Sequence, residues 1–182
     1  DGGLPGDREI TVTYTLVGTT LTMEIAAMSD RPTLFNIANH NYWNLDGTPT
    51  YAGHRLTVPA AHYLPTSDDT LPTGEMAKVD GTAFDFRNGK LLTADSTQFW
   101  DHNLCLSQDR QPIRPIARLE GTSGLTLDMA STETGLQVYD GGTIAPNTYD
   151  TLHGAPYGLY AATALEAQSW PGATSHAHFP SI

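Results

Sequence analysis

One cysteine, Cys105, stands in 182 residues. It excludes an internal disulfide and any CxxC metal or redox site. Alternation with its polar neighbours in "HNLCLS" fits a buried small hydrophobe. Bases are also scarce: 9 Lys and Arg face 20 Asp and Glu, for a formal net charge of −11. A field of that sign repels nucleic acid and anionic membrane surfaces, so neither is expected as a partner. No apolar run approaches the ~20 residues that cross a bilayer, and no charged-then-apolar signal segment opens the chain, which leaves the compartment open. Phosphate-cradling glycine loops, a G-x-S-x-G elbow and H-E-x-x-H spacing are all missing. The pair His176-Ala-His178 is the one ligand-like spacing, and it reads as a surface feature.

What is present is alternation. Ile10, Val12, Tyr14 and Leu16 alternate with threonines, Gly18-Thr19-Thr20 punctuates, and Leu21, Met23, Ile25 and Ala27 resume the pattern. That period of two predicts an antiparallel hairpin. The same logic predicts strands near 33–40, 55–60, 99–106, 113–119, 125–132 and 136–140, with a second hairpin joining the last two through Glu133-Thr134-Gly135. The segment 157–168, "YGLYAATALEAQ", has helix-forming residues but no amphipathic stripe, and a strand is expected there. Many short strands in a chain of this length predict one all-β domain over residues 1–182, a sandwich or barrel. Between Leu64 and Arg87 the chain is rich in turn formers and long for a plain connection, as functional rims are.

The stretch "ANHNYWNL", residues 38–45, is too polar for a core strand and too aromatic for an ordinary loop. Other residues able to do chemistry are His62, Asp101, His102, Gln137, His153, Glu166, Gln168, His176 and His178. Each has a plain structural alternative: a histidine beside an asparagine is often just hydrogen-bonded, "DH" often caps a turn, and Gln137 could face water. Glu166 is different, because it interrupts the apolar run "YAATALEAQSW", where a carboxylate needs a partner or a solvated cavity. Histidine, carboxylates, carboxamides and aromatic rings together suit a neutral, hydroxyl-rich ligand: hydroxyls donate and accept, and a sugar's apolar face lies against aromatic carbon.

Five segments, in order, resemble the aldose 1-epimerase, or galactose mutarotase, family. They are "ANHNYWNLDG", "HYLPTSDDTLPTGEMAKVDGTAFDFR", "WDHNLCL", "TETGLQVYDGG" and "ALEAQSWPGATSHAHFPS". The first is similar to the family's Thr-Asn-His-x-Tyr-Phe-Asn-Leu signature and the last to its Leu-Glu-Thr-Gln segment. The resemblance implies a galactose-mutarotase-like β-sandwich that interconverts the α and β anomers of a free aldose without metal or organic cofactor. It implies His40 as general acid at the ring oxygen and Glu166 as general base at the anomeric hydroxyl. Asp101 and Gln137 would bind the sugar, with Trp43 or another aromatic paving the site. The match is to the family's C-terminal portion. The sandwich is therefore expected to be incomplete on its N-terminal side, and three accounts stand open: a second chain or self-association supplies the missing strands, the fold is a smaller one, or part of the protein is not in this sequence. Two other readings stand beside it: a carbohydrate-binding or regulatory module with the same pocket, and a glycosidase using paired carboxylates.

Overall fold

The computed structural model describes residues 3–97, 99–144, 151 and 154–182. The chain forms two compact units, one reaching Ile37 and including Ile182, the other running from Ala38 to Ser181. The first is built on the predicted hairpin. Strands β1 (Arg8–Val17) and β2 (Thr20–Ser29) pair in unbroken register from Arg8 opposite Ser29 to Val17 opposite Thr20. Gly18 takes the positive φ that so tight a reversal needs. One hairpin face gathers Ile10, Val12, Tyr14 and Leu16 with Ala27, Ile25, Met23 and Leu21, while Thr11 and Thr13 sit opposite Ala26 and Glu24 on the other.

The second unit carries β3 (Tyr42–Trp43), β4 (Arg55–Thr57), β5 (His62–Tyr63), β6 (Ala77–Lys78), β7 (Lys90–Leu91), β8 (Asp101–Cys105), β9 (Arg114–Glu120), β10 (Thr126–Ser131), β11 (Gly135–Tyr139) and β12 (Thr163–Gln168). They make two antiparallel sheets, ordered β10-β9-β4-β7 and β3-β12-β11-β8-β5-β6. Leu56, Ile116 and Leu119 from the first sheet share one core with Leu104, Leu136, Val138 and Leu165 from the second, and Tyr51, Phe86 and Trp100 complete it. Fully burying each aliphatic side chain contributes roughly 1.5–3 kcal/mol. A smaller cluster of Leu64, Cys105, Trp170 and Phe179 anchors the segment after β12. There the Trp170 indole N–H donates to the Thr134 carbonyl at 2.8 Å. The fold is thus the all-β sandwich expected.

Three sequence expectations need correction. No strand forms over 33–40; the ladder is joined only at Tyr42–Trp43. Asn39 Oδ1 takes the Asn41 N–H at 2.9 Å, so a side chain captures a backbone donor that a ladder would need. The expected hairpin of β10 with β11 does not exist either. β10 pairs with β9 across a turn from Gly121 to Gly124, whereas β11 lies in the other sheet between β8 and β12. Glu133-Thr134 carries the chain between sheets, with the Thr134 carbonyl accepting the Leu106 and Ser107 N–H groups. Finally, only Thr163–Gln168 of the segment 157–168 is strand, and Tyr160 before it has φ +58.

Candidate active site

Strand register builds the site on one face of the six-stranded sheet. Glu166 lies opposite Gln137, and Gln137 opposite Asn103. One step along, Tyr42 pairs with Ala164, Ala164 with Tyr139, and Tyr139 with Asp101. Because side chains alternate across a strand, these residues share a face. The intervening Leu104, Leu136, Val138 and Leu165 turn to the core. The polar alternation of "DHN", "QVY" and "LEAQ" is therefore the site's own signature in the sequence.

Asp101, Asn103, Gln137 and Glu166 of this face line a cavity of about 440 Å³. The sheet contributes Asp101, Asn103, Gln137, Glu166 and Gln168; the predicted rim loop contributes Leu64, Thr66 and Thr70–Pro72; the segment after β12 contributes Pro171, Gly172, Ser175 and His176. His40 enters from the strandless stretch before β3. Neither Lys nor Arg is among these lining residues, which suits a neutral ligand better than a phosphorylated one.

His40 Nε2 stands 3.5 Å from Glu166 Oε1, with side chains 51% and 13% exposed. A pair this open to water adds at most about 1 kcal/mol to folding, so stability does not account for it. Glu166 is held above the usual carboxylate range. Burial is the main cause, the negative Asp101 acts in the same sense, and the positive charge of His40 opposes both. A carboxylate made more basic by desolvation and aimed into a cavity is a recognised mark of proton-transfer chemistry. Gln137 Nε2 donates to Asp101 Oδ1 at 2.7 Å, which fixes both side chains.

Aromatic rings frame the histidine. The Tyr42 ring lies 5.0 Å from the His40 ring and the Tyr139 ring 6.4 Å, edge to face. Burial chiefly, then the neighbouring Tyr139, Glu166 and Asp101, pushes the Tyr42 phenol up, so it stays a neutral hydrogen-bonding group. Among the described residues no group of three or more His, Cys, Asp or Glu is placed to hold one metal ion.

Of the residues picked out in the sequence, His40, Asp101, Gln137, Glu166, Gln168 and His176 converge on this cavity. Trp43 does not: it packs against the core on the side of β3 away from Tyr42, and Tyr42 is the aromatic beside His40. Parity would have indicated this, since residues 40 and 42 share a side in an extended chain. His102 turns to the other face, among the rings of Tyr63, Phe84 and Phe99. His178 is outside the cavity lining, and its Nε2 meets the Gly74 carbonyl at 2.8 Å. His62 sits on β5 outside the cavity lining, and His153 lies outside the described residues. Asn103 was overlooked, although it stands two residues from Asp101 on the same strand face.

The architecture is that of the galactose-mutarotase-like β-sandwiches. A crystal structure of a GalM/aldose epimerase homologue from C. elegans superposes with a TM-score of 0.85 at 32% identity, covering 100% of this chain and 57% of that one. The aldose 1-epimerase family matches residues 1–182, and the chain belongs to that family. Galactose mutarotase of Sus scrofa is 36% identical over 186 residues, covering 99% of this chain and 54% of that protein. Aldose 1-epimerase of Haemophilus influenzae is 32% identical over 188 residues, covering 97% and 54%. The chain therefore spans about half the length of the curated relatives it matches.

Proposed function

We propose that the cavity binds a free, neutral aldose and interconverts its α and β anomers. The observation that carries the reading is the 3.5 Å approach of His40 Nε2 to Glu166 Oε1 in a cavity whose lining also holds the carboxylate of Asp101, the carboxamides of Asn103, Gln137 and Gln168, and the hydroxyls of Thr66, Thr70 and Ser175. A hemiacetal's hydroxyl oxygen and ring oxygen hang on one carbon, so an acid and a base serving them must be near neighbours. The pair meets that condition, with the half-exposed imidazole free to give way as sugar enters.

Glu166 takes the proton of the anomeric hydroxyl, the C1–O5 bond breaks, and the ring oxygen receives a proton from His40. The product is the open-chain aldehyde, with Glu166 now neutral and His40 now a base. Rotation about C1–C2 presents the other carbonyl face. His40 then removes the proton from O5, the ring recloses, and Glu166 returns its proton to the new anomeric oxygen. No atom is gained or lost, and no redox change occurs. The raised basicity of Glu166 favours its first step, and each proton transfer is worth roughly 10²–10⁴ in rate.

The binding-module reading shares the cavity but predicts no turnover. The glycosidase reading needs two free carboxylates, whereas Asp101 is engaged with Gln137 and the charge that most strongly favours ionisation of Glu166 is that of His40. Polarimetry of freshly dissolved α-galactose or α-glucose separates the three. The expected outcome is faster decay of optical rotation, lost in Glu166→Gln and in His40→Asn, with no release of phenol from an aryl glycoside. Rotation decay unaffected by the wild-type chain, despite saturable sugar binding, would leave the binding module.

A further inference from the structure

Asn103 holds a position in which an apolar residue would be cheaper. It lies mid-strand on β8, opposite Gln137, and faces the cavity. It is 1% exposed, yet neither Oδ1 nor Nδ2 has an oxygen or nitrogen hydrogen-bond partner among the described residues. The amide reaches the Cys105 thiol, next on the same face, in a weak hydrogen-bonding contact, but a thiol is too poor a group to stand in for an oxygen or nitrogen partner. Buried carboxamides are nearly always paired, and leaving both ends unmet opposes folding. Leucine fills the neighbouring position 104 on the other face without that penalty.

Gly135 makes room for the amide. A Cβ there would run into Asn103 Oδ1 and stand 2.9 Å from Nδ2 and 3.0 Å from Cγ. Gly135 is not among the glycines with positive φ, so the glycine answers to the amide and not to the backbone. Beside it, Gln137 Oε1 is also buried without a partner, while Gln137 Nε2 is bound to Asp101. The vacant set is therefore two acceptors and one donor, whichever way the Asn103 amide is turned. A cation would meet the donor and an anion the acceptors and the nearby carboxylates. Hydroxyls satisfy all three atoms, because each both donates and accepts.

We propose that Asn103 is a substrate-binding residue whose carboxamide, with Gln137 Oε1, receives two neighbouring hydroxyls of the sugar away from its anomeric carbon. The assignment rests on the reading that the cavity holds an aldose. It makes the sheet floor, and not the rim loop alone, a determinant of which sugars bind.

The test is calorimetric titration of the 182-residue chain with galactose, glucose and their monodeoxy forms, using wild type, Asn103→Leu, Asn103→Ala and Glu166→Gln, with melting temperatures for each. Wild type should discriminate against the sugar lacking one particular hydroxyl. Both Asn103 variants should bind the parent sugar about ten- to a hundredfold more weakly and bind that deoxy sugar no worse than wild type does, as a lost buried hydrogen bond requires. The alanine variant covers the case in which leucine does not fit, and at least one of the two should melt near wild type. Parent-sugar affinity unchanged in both variants overturns the assignment. So do a uniform loss across all sugars, a collapse of stability in both variants without any change in deoxy preference, and failure of wild type to bind any aldose. The deoxy pattern without accelerated anomer exchange would instead sink the epimerase reading and leave Asn103 in place.

Discussion

Gly135→Ala is the sharpest perturbation available, because it adds one methyl group at a point where a single side chain stands in the way. The new Cβ would run into Asn103 Oδ1 and lie 2.9 Å from Nδ2 and 3.0 Å from Cγ. Unstrained carbon contacts lie near 3.5–4.0 Å, so the amide has to retreat by roughly 1 Å or more. Asn103 has nowhere buried to go, and overpacking of this sort costs about 1–3 kcal/mol. The obstacle is the end of a short side chain on a cavity wall, which argues for the lower part of that range, about 1–2 kcal/mol. For a chain of this size each kcal/mol lowers the melting temperature by roughly 2–4 °C. Gly135→Ala should therefore melt about 2–8 °C below wild type and also bind sugar more weakly. Combining it with Asn103→Ala removes the clash, so the double variant should be more stable than the sum of the two single effects by about 1–2 kcal/mol. Thermal melts of the four proteins supply every number needed. A Gly135→Ala protein that melts with wild type, or strictly additive effects, would refute the reasoning.

Glu166 and Asp46 make opposite pH predictions. Burial raises the Glu166 carboxyl, so its favourable contribution is present below the unfolded value of 4.5 and is lost as pH rises through the folded value; Glu166→Gln should match wild type in acid and become the more stable of the two as pH increases, which melts across pH will show. Asp46 accepts the hydroxyl and backbone N–H of both Thr122 and Ser123, and these bonds hold its carboxyl well below the usual carboxylate range. Its contribution is present above the unfolded value of 3.8 and is lost as pH falls through the lowered one, so Asp46→Ala should melt lower at neutral pH and approach wild type in strong acid. Trp43→Phe should lower the melting temperature and leave sugar affinity unchanged, whereas Tyr42→Ala should do the reverse, as calorimetry and melting of the pair will show.

Period-two alternation located β4 and β8 to β11, because half-buried strands write their inside and outside into successive residues, and it passed over the two-residue pairings β3, β5, β6 and β7, which are too short to show a period. It failed where side chains compete with the ladder, as Asn39 does at Asn41. It also failed at Glu133-Thr134-Gly135, where a turn-like triplet leads between sheets and Gly135 serves Asn103 instead of a reversal. Glu166 was legible as a polar residue in an apolar run, and Gln137 and Asp101 as polar positions on strands. Their convergence was not legible from alternation, since register between strands distant in sequence depends on core packing. Of the two aromatics in "YW", the parity of β3 gives the side of His40 to Tyr42 and turns Trp43 to the core, a choice that size alone does not make.

The proposed proton relay between His40 and Glu166 is tested most directly by magnetisation transfer between the α and β anomeric protons of an aldose in the presence of the 182-residue chain. The expected result is exchange accelerated by the wild-type protein and reduced roughly 10²–10⁴-fold by Glu166→Gln and by His40→Asn taken singly, while both variants still bind the sugar. Equal exchange rates with wild type and with both variants would contradict it.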